Sequence, residues 1–230
     1  MSKRLEKYIC KERFSWYSKS DWRLLPITTK EIIFCIISFF IGSIPFGYVL
    51  TKLCKGIDIR SHGSGNIGAT NVFRVAGPTF GLISFILDFL KGFVPYYIGF
   101  KLFNINETSL LLLSSFAIIG HDFSPFLKFK GGKGVATTIG VITAFNYKIA
   151  LFITLVWIIV LILSGYVSLA SIAGYISVPI FIIIFSPSIQ NILFSIIASA
   201  LGITRHSSNI KRLLNHTEHK MLNFNKKLWS

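Results

Sequence analysis

Long apolar runs recur along this chain, and their length leaves it one class of fold. Residues 32–50, 78–100, 108–126, 135–163, 165–185 and 189–203 are strongly apolar, and a helix needs about 20 such residues to cross the hydrocarbon layer of a bilayer. The run from 135 to 163 exceeds one ordinary span and is interrupted by Asn146, Tyr147 and Lys148, so two short helices are expected there. The reading is an all-α, polytopic integral membrane helix bundle of about seven transmembrane helices. In the first span Gly42, Pro45 and Gly47 suggest a broken or closely packed helix. In the second, Asp88 and Lys91 stand three apart on one helical face. That spacing suits a buried ion pair that orients helices, with a catalytic pair as the alternative.

Composition agrees. Hydrophobic residues make up 52% of the chain and charged ones 14%, and the mean hydropathy is +0.64. A net charge of +15 would suit nucleic acid, but the cations sit between apolar runs and no recognition module is present, so no nucleic-acid partner is expected. The charge reads instead as orientation and anion binding. Cys10, Cys35 and Cys54 form neither a disulfide framework nor paired metal ligands.

Residues 1–30 are basic and aromatic and form an N-terminal extension. No cleavable signal peptide is evident in it, so it reads as a retained tail, lying on anionic lipid or simply flexible. A membrane domain over 31–220 and a C-terminal tail over 221–230 complete the organisation. Trp16, Trp22 and Trp229 fit anchors at the membrane surface. Trp157 and the many phenylalanines read as core or lipid-facing residues.

Short positively charged loops stay cytoplasmic. Seven spans put the loop after the first span, the loop after the third and the C-terminal tail on that face, against only Lys101 and Lys148 in the opposite loops. The basic N-terminus is the exception to this layout.

Three polar segments then meet on one face: 60–74, 128–134 and 205–220. In the second, Lys130-Gly131-Gly132-Lys133-Gly134 places three glycines among two cations. Backbone N–H groups there can close on an anion while ammonium groups neutralise it, and a helix starting at Val135 adds its N-terminal partial charge. It is no Walker A loop, because Gly134 follows the lysine where Ser or Thr would bind magnesium. The third segment puts His206 and Asn209 on one helix face, with Glu218 beyond them. Only nine carboxylates occur in the chain, and no cluster resembles a magnesium site, so neither metal nor cofactor is expected. No histidine is followed five positions later by aspartate, and Gly-x-Ser-x-Gly is absent. Cations beside apolar grooves point to lipid phosphate chemistry.

Three blocks carry a closer likeness: Gly63-Ser64-Gly65-Asn66-Ile67-Gly68-Ala69-Thr70-Asn71-Val72-Phe73-Arg74; Gly120-His121 through Phe129 to Thr137; and Arg205-His206 through Asn209 to Leu214. In order and spacing the chain resembles the bacterial acyl-phosphate:glycerol-3-phosphate acyltransferases, integral membrane enzymes that begin phospholipid synthesis. The likeness runs over about residues 40–220. It departs at Ser207, where the family usually has a basic residue, and at His216, where it usually has glycine.

The resemblance implies transfer of a fatty acyl group from acyl phosphate to the first hydroxyl of glycerol 3-phosphate, giving lysophosphatidic acid and phosphate. It places the enzyme in the bacterial inner membrane among membrane lipids, with its site on the cytoplasmic side and an acyl-phosphate-forming enzyme as a partner. By resemblance Ser64, Thr70, Gly131, Gly132 and Lys133 hold the phosphoryl group of the donor, and Arg74, Lys133, His206 and Asn209 hold glycerol 3-phosphate. Ser171 adds a hydroxyl, with Ser168 nearly as good a candidate. Asn66 and Asn71, also counted among the substrate-binding residues, more readily shape their loop. The general base is either His206 or a substrate phosphate oxygen, the latter slightly preferred. Glu218 pairs with a neighbouring cation, and His62 and His121 read as hydrogen-bonders at loop and helix ends. A membrane transporter of an organic phosphate is the alternative from another class, and a non-catalytic lipid-binding scaffold a third.

Overall fold

The computed structural model describes residues 28–221, and all regular structure among them is helical. In chain order the helices are α1 (Thr29–Ser43), α2 (Phe46–Lys55), α3 (Ala69–Ala76), α4 (Pro78–Lys101), α5 (Glu107–Leu113) and α6 (Ser115–Asp122). After the glycine-lysine loop come α7 (Val135–Phe145), α8 (Tyr147–Ser164), α9 (Val167–Phe185), α10 (Ile189–Arg205) and α11 (Ser207–Leu214). The expectations for the N-terminal extension, Cys10 and the three terminal tryptophans fall on residues outside this range.

Five stretches are long and apolar enough to cross a membrane: Thr29–Lys55, Pro78–Lys101, Ser109–Leu127, Tyr147–Ser164 and Val167–Phe185. The other two apolar segments, α7 and α10, have 11 and 17 residues. At 1.5 Å per residue α7 rises only about 16 Å, roughly half the hydrocarbon thickness. The expected seven spans therefore appear as five full-length stretches and two shorter helices.

Each interruption has a local cause. The residue before a proline is pushed out of the helical region; accordingly Ile44 is extended at φ −61°, ψ 118°, between α1 and α2. Asn146 separates α7 from α8 because its side chain accepts the Lys148 N–H at 3.0 Å and caps the new helix. Ser188 caps α10 in the same way through Asn191 N.

Small residues set the packing. A Cβ on Gly42 would strike the Ala117 carbonyl and one on Gly120 the Phe39 carbonyl, so α1 and α6 meet backbone to backbone. Gly92 and Gly140 make the same reciprocal contact between α4 and α7. Where lipid offers no hydrophobic drive between helices, such approach supplies dispersion contacts instead. The core around these crossings holds Phe34, Leu110, Leu111, Ile118, Val141 and Phe194. By contrast α8 turns Leu155, Ile159, Ile162 and Leu163 outward, as a helix at the lipid boundary should.

Asp88 and Lys91 form the buried pair their spacing predicts, 2.8 Å apart. Lys91 also donates to the Ile44 carbonyl at 2.9 Å, so the ammonium joins α4 to the proline break in the first span. At the other end of the bundle Lys30 donates to Asn104 O. The start of α1 thus lies at the end opposite the three polar segments.

Candidate active site

The loop between α2 and α4 is wound around one carboxamide. Asn71 accepts from Ser64 N at 2.9 Å and donates to the carbonyls of His62 and Asn66 at 3.0 and 2.8 Å. Asn66 in turn accepts from Gly68 N. Both asparagines shape the loop, and Asn71 is buried. His62 bonds locally to Asp58 O and Ser61. This winding presents Ser64, Thr70 and Arg74 to a common cavity.

The glycine-lysine loop differs from the sequence expectation. Gly131 N and Gly132 N do not face an anion site: they donate to the carbonyls of Asp122 and His121 at 3.2 and 2.9 Å. A Cβ on Gly132 would overlap the His121 ring, and one on Gly131 the His121 carbonyl. These glycines let the loop lie flat on α6, and the cavity wall begins one residue later, with Lys133, Gly134, Val135 and Ala136. Arg205 holds the outer edge, donating to Gly132 O at 3.0 Å and Gly131 O at 2.9 Å. Tyr175 holds the inner edge with a 2.8 Å hydrogen bond to Lys133 O.

The third segment closes on this loop. Lys133 Nζ donates to Asn209 Oδ1 at 2.5 Å, and Asn209 Nδ2 donates to Glu218 Oε1 at 2.8 Å. Glu218 also accepts from Ser168 at 2.9 Å and from Arg212 at 2.6 Å, the cation pairing expected of it. Arg74 reaches His219 O at 3.3 Å, and Met221 N bonds Gly165 O, so the chain after α11 folds back as part of the wall.

Electrostatics follow from this crowding. Burial, then the charges of Arg212, Arg74 and Arg205, outweigh Glu218 and bring Lys133 down to about 8. His206 falls to about 4, chiefly by burial, despite its bond to Gly202 O. A carbonyl only accepts, so at 2.6 Å from Gly202 O the Nδ1 of His206 carries the proton. The neutral ring therefore offers Nε2 as its lone pair. Arg74 is lowered, again chiefly by burial. Burial raises Glu218, but hydrogen bonds from Asn209, Arg212 and Ser168 outweigh it and hold the carboxyl below its ordinary value.

Ser64, Thr70, Arg74, Lys133, His206 and Asn209 all line one cavity of about 790 Å³, joined by Asn66, Asn71, Ser168, Ser171 and Glu218. Away from them the walls become apolar, with Phe89, Ile139, Ile142, Ile153 and Val178. Leu82 and Phe85 of α4 and Ile158 of α8 line it too and are themselves exposed, so the cavity opens sideways between helices. Ser171 Oγ donates to Val167 O and accepts from Trp157 Nε1 at 3.2 Å. Trp157, read from sequence as core or lipid-facing, is thus a cavity wall residue. His121 is likewise buried beneath Gly132 and reaches the cavity. Tyr175 escaped sequence reasoning, although its spacing of seven and four from Ser168 and Ser171 places it on their helix face.

A family model described as glycerol-3-phosphate acyltransferase matches residues 32–216. The chain belongs to the glycerol-3-phosphate acyltransferase family. A glycerol-3-phosphate acyltransferase of Aquifex aeolicus is 44% identical over 191 residues, covering 83% of this chain and 99% of the relative. Glycerol-3-phosphate acyltransferase 2 of Thermotoga maritima is 45% identical over 190 residues, covering 82% and 95%. Among solved structures, PlsY, described as an integral membrane glycerol 3-phosphate acyltransferase, superposes in its glycerol 3-phosphate form with a TM-score of 0.78 at 44% identity. That match covers 83% of this chain and 94% of the PlsY chain. The lysophosphatidic acid form gives 0.76 at 43% over the same shares. As a member of this acyltransferase family the protein is a multi-pass integral membrane enzyme of phospholipid synthesis.

Proposed function

We propose that this acyltransferase takes its acyl group from acyl phosphate and delivers it to the sn-1 hydroxyl of glycerol 3-phosphate, releasing lysophosphatidic acid and phosphate. One observation carries the reading: a single cavity has Arg74, Lys133, His206 and Asn209 among its lining and continues into a mostly apolar wall that includes Phe89, Ile142, Ile153 and Val178. A lipid phosphate has the same two parts.

An acyl phosphate is a mixed anhydride with a good leaving group, so the protein has mainly to position both substrates and offset negative charge. The hydroxyl oxygen of glycerol 3-phosphate attacks the acyl carbonyl carbon. The bond from that carbon to the phosphate oxygen breaks, and the hydroxyl proton passes to a phosphate oxygen. Lys133 offsets charge on the departing phosphate, with Ser64 and Thr70 beside it. Arg74, His206, Asn209 and Ser171 hold glycerol 3-phosphate. The Nε2 lone pair of His206 is available for a hydrogen bond from the attacking hydroxyl, while the substrate phosphate takes the proton. Gly131 and Gly132 act through the loop they allow, which sets where Lys133 stands.

The site belongs on the cytoplasmic side of the bacterial inner membrane. Lys52, Lys55, Arg60 and Arg74, then Lys128, Lys130 and Lys133, then Lys211 and Arg212 lie at its end of the bundle, against Lys30, Lys101 and Lys148 at the other. An enzyme that forms acyl phosphate would supply the donor there.

Phosphate release by purified protein given palmitoyl phosphate, with and without glycerol 3-phosphate, tests the reading. Release that depends on the acceptor, disappears in Lys133→Ala and does not occur with acyl-CoA establishes it. A folded protein that binds glycerol 3-phosphate without releasing phosphate would instead be a carrier.

A further inference from the structure

Glycines inside the helices of this protein serve close packing, with one departure. Every other helical glycine among the described residues stands where an added Cβ would come within 3.0 Å of a neighbour; at Gly174 the nearest atoms are Ile153 Cγ2 at 3.8 Å and Trp157 Cδ1 at 3.9 Å. Nothing there requires glycine for helix approach, and glycine is unfavourable relative to alanine inside a helix. Gly174 is buried yet lines the cavity, as do Ile153, Trp157 and Val178. Its missing side chain therefore opens onto the apolar part of the cavity.

Position along α9 gives the depth. Ser171 stands at the polar end, Gly174 is about 4.5 Å further along the helix axis and Val178 about 6 Å beyond that. Trp157 is fixed at this level by its hydrogen bond to Ser171, so the opening cannot be widened by swinging the indole away without breaking that bond. A side chain at 174 would project between Ile153 and Trp157, across the path from the polar end to Val178.

We propose that Gly174 is a specificity-determining position that admits long acyl chains past Ile153 and Trp157. The inference rests on the reading that the apolar part of the cavity takes the acyl chain. Each methylene kept out of an apolar site costs about fourfold in affinity, so excluding a few is read easily as a shift in chain preference.

The test compares palmitoyl phosphate with hexanoyl phosphate as donors for the parent protein, Gly174→Ala and Gly174→Leu. In Gly174→Leu the palmitoyl-to-hexanoyl ratio of kcat/KM should fall at least tenfold, with KM for glycerol 3-phosphate unchanged. Gly174→Ala, whose methyl makes only ordinary contacts, should fold as well as the parent and lower the ratio two- to fourfold. It keeps the test open if the leucine variant does not fold. A ratio unchanged in both variants, or equal loss of both donors, overturns the proposal. Binding of palmitoyl and hexanoyl lysophosphatidic acid, followed by thermal shift, reads the same preference without a donor. Failure of the acyl-phosphate reading would silence the kinetic arm in the parent and leave this arm informative.

Discussion

The Tyr175 hydroxyl donates to the main-chain carbonyl of Lys133 at 2.8 Å, and the same ring lies edge-on to His206 with centroids 6.0 Å apart. One side chain thus sets the position of a cation and a histidine that come from distant parts of the chain. Ser199 on α10 anchors it in turn by donating to Tyr175 O at 2.6 Å. Tyr175→Phe keeps the ring and removes the hydroxyl. Since one neutral hydrogen bond is worth about 1 kcal/mol of stability, the melting temperature should fall by about 2–4 °C, and kcat should fall with it as Lys133 loses this hold on its position. Steady-state kinetics in glycerol 3-phosphate, beside a thermal melt in detergent, separate the two effects.

Lys133 makes activity depend on pH in a stated direction. Burial and the neighbouring arginines bring the ammonium from an ordinary 10.5 to about 8. As pH rises through 8 the Lys133 charge is lost; with Lys133 in the proposed role of offsetting phosphate charge, kcat/KM should decline above pH 8, and Lys133→Arg should remove that limb. His206, near 4, stays neutral across this range and adds no limb. Stability runs the other way: between about 8 and 10.5 the unfolded chain binds a proton that the folded protein has released. The contribution of this group to stability therefore rises with pH over that window.

His216 has a φ of +56°, the left-handed region where a Cβ is strained. Glycine, which the resemblance leads one to expect at this position, would adopt that conformation without strain, and histidine is among the residues that tolerate the region better than most. Replacing it with glycine should stabilise the protein by about 0.5–1 kcal/mol, the relieved strain exceeding the added chain entropy. His216→Ala retains the strain and should show no gain. Melting temperatures of the two variants check this.

Lys91→Met leaves the Asp88 carboxylate buried without its ion-pair partner and the Ile44 carbonyl without the ammonium that joins it. Removing one member of a buried pair costs about 3–5 kcal/mol. The double change Asp88→Asn with Lys91→Met should recover much of that loss, a pattern that a double-mutant cycle by denaturant unfolding in detergent reads directly.

Apolar length and its interruptions were legible in the sequence because both depend on local chemistry: Pro45 bars its predecessor from the helix, and Asn146 caps the helix that follows. The Asp88–Lys91 pair was legible for the same reason, being three apart on one turn. Tyr175 and Trp157 were not, because an aromatic ring in an apolar run looks the same whether it meets lipid, core or a cavity. Gly131 and Gly132 were read with the wrong partner. Their composition shows that the backbone comes close to something, but whether that is a ligand or the His121 ring depends on how the loop folds over α6. The shortness of α7 was legible as a count of residues, yet its burial against α4 needs the Gly92–Gly140 crossing, which joins segments far apart in the chain.

Glu218 lies beyond the last apolar segment, yet Asn209, Ser168 and Arg212 all converge on it. Every apolar segment has to be made before this carboxylate exists to receive those bonds. Synthesis of the chain thus reaches the residue that ties α9 to α11 only with the segment downstream of α11, which turns back onto α9.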